Sequence, residues 1–219
     1  MTKIRSRPSA KSASANPNIF NMIATDPAIE AEAERLLSAL IHVECDPKGR
    51  TWNLDTCREI APLTLEINQL KKEKNAVILT HSYVEPEIVY GAGDHKGDSY
   101  FLSKMAKESS AEVILFAGVV FMAETAKILS PEATVIVPDN GSGCSLADSI
   151  TGEEVKKLKA LHPDAVVVCY INSTAEVKAE CDVCVTSGNV YDIVANLPQK
   201  QVLFVPDRLM ADNVRTELK

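Results

Sequence analysis

Six short apolar runs, rich in valine and isoleucine, constrain this chain more than any other feature of its sequence. They stand at residues 76–80 (AVILT), 112–116 (EVILF), 134–138 (TVIVP), 165–170 (AVVVCY), 182–186 (DVCVT) and 201–206 (QVLFVP), with stretches of helical spacing between them. Runs this short, with little polar alternation, read as strands buried on both faces. That is the pattern of a parallel sheet covered by its own crossover helices. The predicted fold class is therefore α/β: repeated three-layer α/β/α units with short parallel sheets, preceded by N-terminal helices. Both sets of three runs close on the same phrase, Val137-Pro138-Asp139 and Val205-Pro206-Asp207. This reads as an internal repeat of two three-strand units joined near Thr151.

Ahead of the first run, Asp26 followed by Pro27 is a cap and a first-turn proline. The apolar spacing of Leu36, Leu37, Leu40 and Ile41 carries that helix to about Val43. A second helix is predicted over 60–74, with Leu63, Ile67 and Leu70 on one side and lysines in its last turn. Further helices are expected over 121–129, from capping boxes at Thr151/Glu154 and Ser173/Glu176, and from Asp207 to Leu218. The resulting organisation is a basic disordered tail (1–25), a helical extension (26–75), a first α/β unit (76–150) and a second (151–219), with no residues left for a third.

The formal net charge is −7, and the basic residues before Asp26 form no stripe on the ordered part. Nucleic acid and anionic membrane are poor partners for such a surface. No secretory segment and no membrane-length apolar run is present, so a cytoplasmic location is expected. In a reducing compartment, clustered cysteines mean metal binding or catalysis more often than disulfides, and the chain has six.

In parallel α/β sheets ligands gather outside the carboxyl ends of the strands, where backbone amides and helix N-termini converge. Here those ends carry His81-Ser82-Tyr83, Gly97-Asp98-Ser99, Tyr170-Ile171-Asn172-Ser173 and Ser187-Gly188-Asn189. Hydroxyls, an imidazole and an amide suit a small, highly acidic metabolite. After the run 134–138, a loop of small residues delivers Cys144 between Gly143 and Ser145. A cysteine there is a candidate metal ligand or nucleophile; the plain alternative is a small apolar residue. Cys181 and Cys184 have redox or zinc-ligand spacing, but overlap a strand rather than opening a helix.

These phrases, with Pro86-Glu87-Ile88, the run from Gly118 to Leu129 (GVVFMAETAKIL) and Gly143-Cys144-Ser145-Leu146-Ala147-Asp148, occur in order over residues 76–209. In them the chain resembles the quinolinate synthase family, the A protein of de novo NAD synthesis. The resemblance implies condensation of iminoaspartate with dihydroxyacetone phosphate to form quinolinate, and a functional link to L-aspartate oxidase. It also implies a [4Fe-4S] cluster held by three cysteines, one from each of three similar domains, with an open iron acting as Lewis acid. Carried over, Cys144 is the first cluster ligand. His81, Ser99, Tyr170, Asn172 and Ser187 bind the substrates' carboxylates and phosphate, and Tyr83 serves in acid–base steps. The family's other two cluster cysteines, one in a Gly-x-Cys-x-Val-His phrase, have no counterpart before Lys219. The expectation is a fragment lacking the third domain, inactive alone and prone to homo-oligomerise through the uncovered face. The alternative is a non-catalytic two-domain remnant that binds a small dicarboxylate or triose phosphate. A nucleotide-binding module is disfavoured, because the first strand leads into THSYVEPE rather than a glycine-rich loop.

Overall fold

The computed structural model describes residues 26–43 and 49–218. The predicted N-terminal tail and Cys45 lie outside them. Helix α1 (Pro27–Leu40) begins where Asp26 accepts the Ala28 N–H, with Pro27 in its first turn. Its stripe of Ala33, Leu36 and Leu40 closes against Trp52, Cys57 and Ala61. Helix α2 (Leu54–Glu73) starts six residues ahead of the expected 60, at a reciprocal capping box of Asn53 and Thr56, and runs through Pro62. The mixed polarity of residues 54–59 hides that first turn from a reading based on apolar spacing.

Four parallel strands make the first sheet: β1 (Ala76–His81), β2 (His95–Gly97), β3 (Val113–Ala117) and β4 (Thr134–Ile136), in the order β2-β1-β3-β4. Between them run α3 (Pro86–Gly91), α4 (Ser99–Glu108) and α5 (Val120–Leu129). Leu79, Ile114 and Phe116 meet Leu102, Phe121 and Ala126 in the core of this unit. A second sheet follows α6 (Gly152–Leu161). It holds β5 (Val166–Tyr170), β6 (Val183–Val185) and β7 (Val202–Val205) in the order β6-β5-β7, again parallel, with α7 (Ala175–Glu180), α8 (Val190–Ala195) and α9 (Arg208–Glu217). Two small parallel sheets flanked by helices, with helices leading in, are the architecture the apolar runs predict.

The repeat is real, but its register differs from the predicted one. Strands β1, β2 and β3 correspond to β5, β6 and β7: His81 pairs with Gly97 as Tyr170 pairs with Val185, and Thr80 with Ala117 as Cys169 with Val205. A shared constellation fixes the match. Asp94 Oδ2 accepts the Ile78 N–H at 2.8 Å while the Asp94 N–H returns to Ile78 O at 2.9 Å, and Lys71 Nζ holds the other carboxylate oxygen at 2.6 Å. In the second unit Asp182 exchanges the same bonds with Val167, both at 2.9 Å, and Lys159 Nζ lies 3.4 Å from its Oδ1. The pattern slips by one strand because β2 reads His-Lys-Gly, with no apolar side chain to mark it. Consequently Val137-Pro138-Asp139, after β4, is not the counterpart of Val205-Pro206-Asp207, after β7.

Two further expectations change. The strand expected to be buried at 134–137 is the sheet's edge strand, with Thr134 and Ile136 exposed. The box at Thr151/Glu154 caps α6 as predicted, but α7 is capped by Thr174, which accepts the Val177 N–H. Ser173 is instead buried and donates to Tyr170 O at 2.7 Å. Where the units meet, Glu124 on α5 accepts the Ala175 N–H at 2.8 Å, a carboxylate on the first amide of α7. No helix of the described residues is long and apolar enough to cross a membrane.

Candidate functional site

The carboxyl ends of both central strands carry aromatic rings. His81 is the last residue of β1, and two residues later Tyr83 stacks on it with ring centroids 4.0 Å apart. The Tyr83 N–H also reaches His81 Nδ1 at 3.4 Å. Burial, opposed by the nearby Asp98 carboxylate, holds the His81 imidazole below the usual histidine range. The Tyr83 hydroxyl accepts the Val119 N–H at 3.2 Å, which ties it to the turn entering α5, and sits 3.9 Å from Met122 Sδ. Burial pushes its phenol up; the Val119 N–H opposes that shift, and Cys144 adds to it.

Tyr170 occupies the place of His81 in the second unit. Its phenol is raised by burial first, lowered by the neighbouring Ser187 hydroxyl, and raised by Asp207, Asp98 and Cys144. Phenols from both units therefore lie within electrostatic reach of one sulfur. Cys144 is half-buried in the loop after β4. Its N–H binds Asp148 Oδ2 at 3.2 Å, and the Asp148 N–H returns to Cys144 O at 2.9 Å. A side chain at Gly143 would put its Cβ 3.1 Å from that same carboxylate oxygen, so this turn is built close around Asp148. The sulfur packs at the border of the first unit's core and has not sunk into it.

Of the predicted site residues, His81 stacks on Tyr83, Ser187 acts on Tyr170, and Cys144 acts on both phenols. Ser99, the first residue of α4, and Asn172, two residues past β5, stand half-buried beyond strand ends. Sequence reasoning missed three contributors. Asp98 caps α4 through the Phe101 N–H at 2.8 Å, yet also acts on both His81 and Tyr170. Asp207 acts on Tyr170, and Glu124 joins the units. In sequence Asp98 stands inside the strand-end phrase Gly97-Asp98-Ser99 without a role of its own; its position one residue before Ser99 is the available signal. A cavity of about 290 Å³ opens beside Tyr83, against Ser82, Lys96 and Gly97.

Residues 65–219 match the family model described as quinolinate synthetase A protein. The chain belongs to that family. Among similar proteins, the quinolinate synthase of Caulobacter vibrioides is 49% identical over 165 residues, 73% of this chain and 45% of the relative. That of Clostridioides difficile is 54% identical over 146 residues, 67% of this chain and 48% of the relative. That of Thermus thermophilus is 54% identical over 153 residues, 69% of this chain and 49% of the relative. The chain thus spans about half the length of the curated relatives it matches.

The [4Fe-4S] cluster that the family implies needs several thiolates at one place. Among the described residues, no group of three or more His, Cys, Asp or Glu side chains is placed to hold a metal ion. Cys181 and Cys184 do not gather round Cys144; they pack with Cys169 on the second sheet. The described residues therefore do not by themselves fit a cluster: they offer it one thiolate, Cys144.

Proposed function

We propose that this chain carries two of the units that build the substrate site of a quinolinate synthase, an enzyme condensing iminoaspartate with dihydroxyacetone phosphate to give quinolinate. The observation that carries the reading is that Cys144 acts electrostatically on a phenol from each unit, Tyr83 of the first and Tyr170 of the second. His81, Ser99, Tyr170, Asn172 and Ser187 take the substrates' carboxylates and phosphate. Their hydroxyl, imidazole and amide groups replace the water those anions lose on entering the pocket. Tyr83, whose phenol is pushed up from a value already well above neutrality, acts as a proton donor rather than a base in the steps that release water. The Val119 N–H fixes the oxygen from which that proton leaves. Cys144 would be one ligand of the cluster in a complete site. Iminoaspartate would come from an L-aspartate oxidase.

Calorimetric titration of the chain with dihydroxyacetone phosphate tests the reading. Saturable binding is expected, weakened at least about tenfold in Ser187→Ala, the loss of roughly one charge-assisted hydrogen bond. Absence of binding, or equal binding by the variant, would count against it. A second reading is favoured by the single thiolate: a protein that binds a triose phosphate or dicarboxylate with no cluster. Anaerobic reconstitution with iron and sulfide separates the two. A stable thiolate-to-iron absorbance supports the enzyme, and its absence alongside phosphate binding supports the remnant.

A further inference from the structure

Three cysteines outside the Cys144 pocket meet on one face of the second sheet. Cys169 on β5 and Cys184 on β6 are register partners on adjacent parallel strands, so their side chains leave the same face. Paired positions on neighbouring strands lie about 4.8 Å apart, inside the roughly 4.4–6.8 Å between Cα atoms that a disulfide spans. Cys169 is fully buried among Val155, Val167 and Val177. Its thiol is pushed up to about 12 by the neighbouring Cys181 first, with burial adding to the shift and Cys184 and Lys178 opposing it. Cys181, at the end of α7, places its Sγ 3.1 Å from Val177 O. Cys184 is exposed.

Cys184 also lines a cavity of about 850 Å³ between α4, α5 and the second sheet, and its neighbours there include Lys104, Lys107, Lys178, Thr186 and Asn189. Three lysines against one carboxylate, Glu108, make this a cationic recess. Lys178 is aimed inward: its ammonium donates to Ser173 O, lies 5.4 Å from the Phe121 ring centroid, and is largely withdrawn from solvent, which lowers its pKa.

We propose that this recess is a thiol–disulfide exchange site for a small disulfide bearing carboxylates, with Cys184 as the entering thiol and Cys169 as the resolving one. The Cys184 thiol gives its proton to solvent and its sulfur attacks one sulfur of the small disulfide; the new S–S bond forms as the old one breaks and the first small thiolate leaves. Cys169 attacks Cys184 Sγ and passes its proton to the departing sulfur, so the second small molecule leaves as a thiol. Two protein thiols are oxidised to one disulfide, and one small disulfide is reduced to two thiols. The lysines hold the carboxylates beside Cys184. Strand β6 leads within two residues of Val185 to Ser187, so closure acts on the strand that carries a candidate substrate contact.

The reduced 219-residue chain is incubated with oxidised glutathione, quenched in acid, alkylated and mapped by mass spectrometry. The expected product is a peptide pair joined Cys169–Cys184, with Cys57 and Cys144 still alkylated. In Cys169→Ala, glutathione remains on Cys184 as a mixed disulfide. Cys184→Ser takes no label at this site, whereas Cys181→Ser closes like the parent. Replacing Lys104 and Lys107 together by glutamine slows the reaction with oxidised glutathione about tenfold, the size of a local steering effect, and leaves the rate with uncharged 2-hydroxyethyl disulfide unchanged. An alkylatable Cys184, a mixed disulfide persisting in the parent, or a bridge from Cys184 to Cys45 or Cys144 would overturn the proposal. Equal slowing of both reagents in the lysine variant would overturn the anionic class of the reagent.

Discussion

Replacing Asp94 or Asp182 by alanine tests the repeat that aligns the two halves of the site. Each carboxylate accepts an N–H from the central strand of its sheet, at 2.8 Å from Ile78 and 2.9 Å from Val167. Both donors belong to buried residues, so water replaces the lost acceptor poorly. A hydrogen bond to a charged acceptor contributes about 1.5–3 kcal/mol, and an ion pair at a half-exposed position about 0.2–1 kcal/mol. Asp94 has both at good distance, with Lys71 at 2.6 Å, so Asp94→Ala should cost about 2–3 kcal/mol. Asp182 is more exposed and its lysine stands at 3.4 Å, so Asp182→Ala should cost about 1–2 kcal/mol. At about 2–4 °C of melting temperature per kcal/mol for a chain of this size, calorimetry should show losses of roughly 6 and 4 °C. The asparagine variants keep an acceptor and should lose about half as much. The Val167 N–H holds the Asp182 carboxyl below the usual aspartate range. Its stabilisation is therefore complete above that range and lost as the pH falls through the lowered folded value. If both alanine variants stay within about 0.3 kcal/mol of the parent, or if Asp182→Ala is much the more damaging, the matched constellations do not hold the sheets as argued.

Three further outcomes are expected. In a proton NMR titration His81 should titrate below about 6.5, the ordinary histidine value, because burial disfavours its charged form; the neutral ring's stability contribution then disappears as the pH falls through that midpoint, and a midpoint at or above the ordinary value would contradict the shielding of the half-buried ring at the end of β1. Glu124→Ala removes the carboxylate from the first amide of α7, so hydrogen exchange at Ala175 should speed up about fivefold, for a loss near 1 kcal/mol; unchanged exchange would mean that this contact does not join the units. With Leu161 74% exposed, Leu209 68% and Ile128 53%, sedimentation should show self-association, and a monomer of 23.8 kDa at all concentrations would refute it.

Much of the fold was legible because parallel strands advertise themselves through β-branched residues buried on both faces, as Ile78, Ile114 and Val167 do. What escaped was structure made by backbone rather than by apolar side chains. Strand β2 is held to β1 by ladder bonds and by the Asp94 exchange, and nothing in His-Lys-Gly announces it. Losing it shifts the repeat by one strand and hides the equivalence of His81 with Tyr170. The candidate site was legible where it lies on strand ends, since strand ends follow once the strands are known. Asp98 and Asp207 were not, because a helix-capping aspartate looks the same in sequence whether or not its charge also reaches a neighbouring ring.

The most direct test of a pocket shared by both units is the reactivity of Cys144 towards a small alkylating reagent, read site by site by mass spectrometry, with and without saturating dihydroxyacetone phosphate. Protection of Cys144 by at least about tenfold is expected, with exposed Cys184 reacting at the same rate in both samples and protection lost in Ser187→Ala. A Cys144 that reacts at one rate whether or not the phosphate ester is bound would contradict the account.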